Sequence, residues 1–131
     1  MTLSSVSPMD DARPDLIIVA ISIDCADHNE LADFYARLLN GRVDWRTETA
    51  AGVQAGNFHL VTQQVTHYQP PQWPGASIVH LDLSSQHIDL ATQTAFAIDC
   101  GATLAADQPD DRWVVMLDPA GHPFCLTPFT P

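Results

Sequence analysis

His80 and Asp82 are the two side chains best spaced to act together, because they stand two residues apart on one predicted strand. Side chains alternate along a strand, so this imidazole and this carboxylate share a face. Beside Asp82 on that face, His80 can contact a bound molecule. Three tryptophans, Trp45, Trp73 and Trp113, offer flat apolar walls for an aromatic guest, and His59, His67 and Tyr68 are candidates for a cavity mouth. Each also has a plainer role: His80 as a hydrogen-bonded strand residue, the indoles as core or interface. His28, His87 and His122 fall at helix starts or a turn, where solvated side chains are expected. No Gly-x-Ser-x-Gly, Walker-type loop or Gly-x-Gly-x-x-Gly follows a strand in this sequence. The acidic residues fall mostly in turns and helix caps, and no two acids are spaced on one strand face as a general acid and base.

The charge balance narrows the partners. The chain of 131 residues carries 16 Asp and Glu against 5 arginines, with no lysine, for a formal net charge of -11. A surface this negative repels phosphate backbones and anionic lipid, so no nucleic-acid and no membrane partner is expected. It suits a cationic or neutral guest, since carboxylates raise the local concentration of cations. No apolar run reaches the roughly 20 residues of a membrane span, and no basic, apolar leader opens the sequence. Cys25, Cys100 and Cys125 are odd in number and too scattered for Cys-x-x-Cys chemistry. They fit free thiols in the cytoplasm.

The elements that would position these residues read α+β. Residues 1–15 read as a disordered N-terminal lead and 16–131 as one domain, divided into module one (16–66), a connector (67–76) and module two (77–128). Leu16–Ile23, dense in β-branched residues, predicts a buried strand. Asp27 with Glu30 three positions later predicts a helix start, with Leu31, Phe34, Tyr35, Leu38 and Leu39 as its apolar stripe and Asn40-Gly41 as its left-handed end. Strands are predicted over 42–47, 49–55 and 58–65. The proline-rich connector holds Pro70, Pro71, Trp73, Pro74 and Gly75. A second strand over 77–83 follows, then a helix capped by Ser84 or Ser85 and stopped by Gly101, then strands over 102–106, 113–117 and 124–127.

The halves repeat. Gly41 and Gly101 end the two helices, Ala20 and His80 occupy matching places on the opening strands, and Leu38 matches Ile98, each pair 60 residues apart. Two tandem βαβββ modules are therefore predicted.

Leu31-Ala32-Asp33-Phe34-Tyr35-Ala36-Arg37-Leu38-Leu39-Asn40-Gly41 and Asp118-Pro119-Ala120-Gly121-His122-Pro123-Phe124 resemble the helix and closing hairpin of the vicinal oxygen chelate superfamily. That superfamily includes glyoxalase I, extradiol dioxygenases and bleomycin-resistance proteins. The connector followed by His80-Leu81-Asp82 is similar to its glyoxalase-like domain subgroup. The resemblance covers residues 16–128 and implies a glyoxalase-like fold: a curled mixed sheet around a cavity, with one metal held by the opening and closing strands, and a homodimer. Carried over by position, the metal ligands fall on Ala20, Gln63 (or Gln64 if the register slips by one), His80 and Cys125. Ala20 has no donor atom, and cysteine stands where the family usually has glutamate.

Three functions follow as expectations. The first is a metal-free binder of a cationic or aromatic small molecule, its site made by His80, Gln63, Cys125, Asp82, Trp45 and Trp73, with no cofactor. The second is a metal-dependent lyase or dioxygenase with a divalent ion on His80, Gln63 and Cys125. The third is an interaction module docking a partner through Trp73 or Trp113.

Overall fold

The computed structural model describes residues 13–75, 79–85 and 87–128. Residues 1–12 of the expected lead and positions 77 and 78 of the expected second opening strand lie outside these. The chain forms two four-stranded mixed sheets, each with one helix. The first holds β1 (Ile21–Cys25), β2 (Arg42–Arg46), β3 (Ala50–Ala55) and β4 (Phe58–Gln64) in the order β1-β4-β3-β2. The second holds β5 (Leu81–Leu83), β6 (Thr103–Leu104), β7 (Val114–Leu117) and β8 (Pro123–Leu126) in the order β5-β8-β7-β6. In both, the opening strand runs parallel to the closing strand and every other pairing is antiparallel. The sequence repeat is thus a repeat of topology, and the two sheets do not close on each other.

Helix α1 (His28–Leu38) starts as its capping signature predicts: an Asp27 carboxylate oxygen accepts from the Asn29 and Glu30 N–H groups, each at 3.1 Å. It ends with Asn40 at φ +52°, a conformation asparagine tolerates, while the Gly41 N–H reaches back to the Ala36 carbonyl at 2.8 Å. The buried Leu31, Phe34 and Tyr35 of its apolar stripe pack with Val53 and Leu60 of one sheet and with Met116, Phe124 and Leu126 of the other. A single helix face therefore joins both halves into one core.

Two expectations are corrected. Residues 16–20 do not pair in the sheet; the β1–β4 ladder begins at Ile21 opposite Leu60. The second helix, α2 (Leu90–Cys100), is capped by Asp89, whose carboxylate accepts from the Thr92 N–H at 2.7 Å, and not by Ser84 or Ser85. An aspartate at the last turn before the helix captures the free N–H groups as well as serine does and stands closer to the apolar run. Gly101 ends α2 at φ +123°, as predicted.

Candidate functional site

The alternation of β5 and β8 builds the site. Leu81, Leu83, Phe124 and Leu126 turn toward the helices and the common core. His80, Asp82, Cys125 and Thr127 turn the other way and line a cleft of about 370 Å³, with Trp73, Trp113 and Pro109 as further walls. Asp82 stands opposite Cys125 in the parallel ladder, and Val115 stands opposite Cys125 on the other side. His80 Nε2 lies 3.1 Å from a carboxylate oxygen of Asp82. One ligand atom from each of His80, Asp82 and Cys125 falls within 4.8 Å of the others.

The walls are set from outside the sheet. Trp73 donates its indole N–H to the Asp107 carbonyl at 3.2 Å, which pins the proline-rich connector over the β6–β7 loop. Its ring meets the His80 ring edge-on, with centroids 6.5 Å apart. Trp73 and Trp113 also pack on a small apolar cluster of Ala105, Val115 and Cys125, so these cleft walls are structural as well.

The electrostatics favour positive charge. Burial first, then the nearby Asp82 carboxylate, pushes the Cys125 thiol up to about 11, so this sulfur is a neutral thiol in the absence of a cation. Arg112 pairs with Asp110, which it holds down at about 2, and its guanidinium lies over the Trp113 ring, 5.3 Å from the centroid. No arginine lines the cleft.

Gln63 and Trp45, the other sequence-chosen site residues, lie on the corresponding face of the first sheet and do not line this cleft. Gln63 pairs with Asp24 and Ala50, and the Trp45 indole lies over Gly52, where a Cβ would come within 2.1 Å of its ring nitrogen. Gln64 faces α1, bonded to His28 Nδ1 at 3.0 Å, so Gln63 is the glutamine on the face away from the helix. The structure therefore brings together His80, Asp82, Cys125 and Trp73. Trp113, Pro109 and Thr127 complete the cleft; the positions of Trp113 and Thr127, two residues from Val115 and Cys125, were the signal for two of them.

Two expectations about histidines fail. His28 is buried rather than solvated, its ring held between Gln64 Oε1 and the Thr47 carbonyl at 2.9 Å. His122 is also engaged: Nε2 lies 2.6 Å from the Asp24 carbonyl and 3.1 Å from the Tyr68 hydroxyl. Both stand at element ends that the tertiary fold brings against the opposite strand. His87 is exposed as expected.

The glyoxalase-like domain family matches residues 20–127, both sheets and the cleft included. The chain belongs to that family. With it, this glyoxalase-like protein belongs to the vicinal oxygen chelate superfamily. No curated protein matches it in sequence. Solved structures share its fold. The fosfomycin resistance protein FosX from Listeria monocytogenes, complexed with Mn(II) and sulfate, superposes with TM-score 0.68 at 14% identity, covering 86% of this chain and 90% of that one. A glyoxalase family protein from Enterococcus faecalis gives 0.64 at 20% identity, covering 84% and 95%. The hypothetical protein SA1046 from S. aureus gives 0.63 at 13%, covering 88% and 96%. Among the described residues no helix is long and apolar enough to cross a membrane.

Proposed function

We propose that this glyoxalase-like protein binds a small cationic or aromatic molecule in the cleft of the second sheet. The observation that carries the reading is the presence of two indole walls, Trp73 and Trp113, and the Asp82 carboxylate around the same 370 Å³ space. Indole faces attract organic cations, and a carboxylate completes their recognition. The net charge of -11 draws such guests in and turns anions away. Three unpaired cysteines suit a reducing compartment. The test is a thermal-shift and tryptophan-fluorescence screen with aromatic amines and quaternary ammonium compounds. Binders are expected to raise the melting temperature, with loss of the effect in Trp73→Ala and Asp82→Asn. A screen without any stabiliser or quencher would remove the proposal.

A second reading is metal-dependent lyase or dioxygenase chemistry, favoured by one observation, the convergence of His80, Asp82 and Cys125. An imidazole nitrogen, a carboxylate oxygen and a sulfur fit zinc with one position open, with Asp82 as a donor in a set where the resemblance implies Gln63. The ion would supply Lewis-acid polarisation of substrate oxygens. Binding must also deprotonate the Cys125 thiol, which a cation does readily. Elemental analysis of protein purified without chelator tests it: stoichiometric metal, lost in His80→Ala, supports this reading, and none after reconstitution ends it.

A further inference from the structure

Gln93, in the first turn of α2, is 8% exposed, and its carboxamide oxygen has no hydrogen-bond donor among the described residues. The other end of the same amide is committed: Nε2 donates to the Ile88 carbonyl at 2.7 Å and to the Ser85 carbonyl at 3.4 Å. Turning the amide over would set its oxygen against those two carbonyl oxygens, so the orientation is fixed and Oε1 points away from them. Gln93 also lines a groove of about 640 Å³ between the end of α1 and the start of α2. We propose that this groove is a second small-molecule site, for a neutral apolar compound carrying one hydroxyl or N–H group that donates to Gln93 Oε1.

The rest of the groove selects that chemistry. Leu83 and Leu126 line it from the helix-facing side of the second sheet, the face opposite His80, Asp82 and Cys125, so it is separate from the tryptophan cleft. Leu38 and Leu39 line it from α1, and Ile88 and Phe96, 46% and 48% exposed, stand where it opens to solvent. An aromatic ring or a branched alkyl group takes these side chains out of water. Among the described residues no charged side chain lines the groove, although the chain carries a net charge of -11. An ion would lose its hydration there without meeting a counter-charge, so the groove selects neutral molecules. A buried acceptor without a donor destabilises the fold that contains it, and a ligand that brings the donor removes that penalty. An ether or hydrocarbon of the same shape fills the groove and leaves Oε1 unpaired.

The experiment titrates para-propylphenol and its methyl ether, para-propylanisole, into the full chain and follows the backbone amides by NMR. The phenol is expected to shift the amides of Leu39, Leu83, Gln93 and Phe96. It is also expected to bind roughly tenfold more tightly than the ether, the effect of one hydrogen bond. Gln93→Leu keeps the apolar bulk and is expected to bring the two affinities together. Phe96→Asp, at an exposed position of α2, is expected to weaken both compounds severalfold with an unchanged circular dichroism spectrum. Benzyltrimethylammonium, a probe for the cleft that has no N–H or O–H, is expected not to displace the phenol. The comparison of phenol and ether in the wild type reads the oxygen without any variant having to fold. Equal affinities in the wild type overturn the proposal, as does a preference that survives in Gln93→Leu. Shifts confined to the cleft, or displacement by the ammonium probe, do the same. So does a groove that takes up neither compound, whether the chain itself or a second copy covers it.

Discussion

The Tyr35 hydroxyl donates to an Asp118 carboxylate oxygen at 2.6 Å, in the buried core and across 83 residues of sequence. Asp118 begins the turn between β7 and β8, and its other oxygen accepts from the Ala120 and His122 N–H groups at 2.8 and 3.0 Å. One carboxylate therefore shapes the closing hairpin that carries Cys125 and at the same time ties it to the helix of the other half. Substitution of Tyr35 by phenylalanine removes the donor from a buried acceptor. We expect a loss of about 1.5–3 kcal/mol in urea unfolding, the range for hydrogen bonds to charged groups. A loss indistinguishable from zero would show that the contact is incidental.

Asp118 also imposes a pH dependence. Burial raises its carboxyl above the ordinary range, and the bonds from Tyr35, His122 and Ala120 only partly offset this. The native chain thus binds the Asp118 proton more tightly than the unfolded chain. This contribution to stability is complete below the unfolded pKa of about 4 and fades as pH rises through the elevated native value. Relative to Asp118→Asn, the wild type is expected to lose stability between acid and neutral pH. Parallel stability curves for the two proteins would refute the assignment.

The Cys125 thiol gives a chemical readout. With its pKa pushed up to about 11 from 9.0, alkylation by iodoacetamide in a Cys25→Ser, Cys100→Ser background is expected to be slow at neutral pH. The rate should climb about tenfold per pH unit until the thiol ionises. In urea the same thiol should react about 100-fold faster at neutral pH from ionisation alone, since its pKa falls by about two units. Equal rates folded and unfolded would contradict the burial.

Gly41 tests how α1 is joined to its sheet. A Cβ there would stand 2.3 Å from the Gln54 carbonyl oxygen, a backbone atom of β3 that cannot swing aside. Gly41→Ala is expected to cost about 1–3 kcal/mol, as overpacking does. The control is Gly56→Asn, at a turn position of φ +58° with open space around it, which asparagine can adopt. If Gly41→Ala proves as mild as that control, the close approach is not a constraint.

Much of this architecture was legible from the residues because local physics dictated it. Asp27 and Glu30 announced α1, the left-handed Asn40 and Gly101 ended the helices, and the 60-residue offset disclosed two modules before any contact was known. Alternation on 79–83 also placed His80 and Asp82 on one face. Charge alone pointed the candidate site toward cations.

Tertiary structure decided what local pattern leaves open. Leu16–Val19 read as a buried strand, yet among the described residues no strand pairs with it, because burial belongs to a pair of surfaces and not to a run of residues. Gln63 and Gln64 are alike in sequence, and only the packing of His28 against one of them fixed which glutamine turns from the helix. Trp73 lies in a connector with no periodicity, so its place against His80 depended on where the Asp107 carbonyl captured its indole. The sequence by itself determined the elements, their repeat and the sign of the charge. The fold chose which side chains meet, since contacts between residues far apart in the chain form only when two surfaces are complementary in shape and polarity at once.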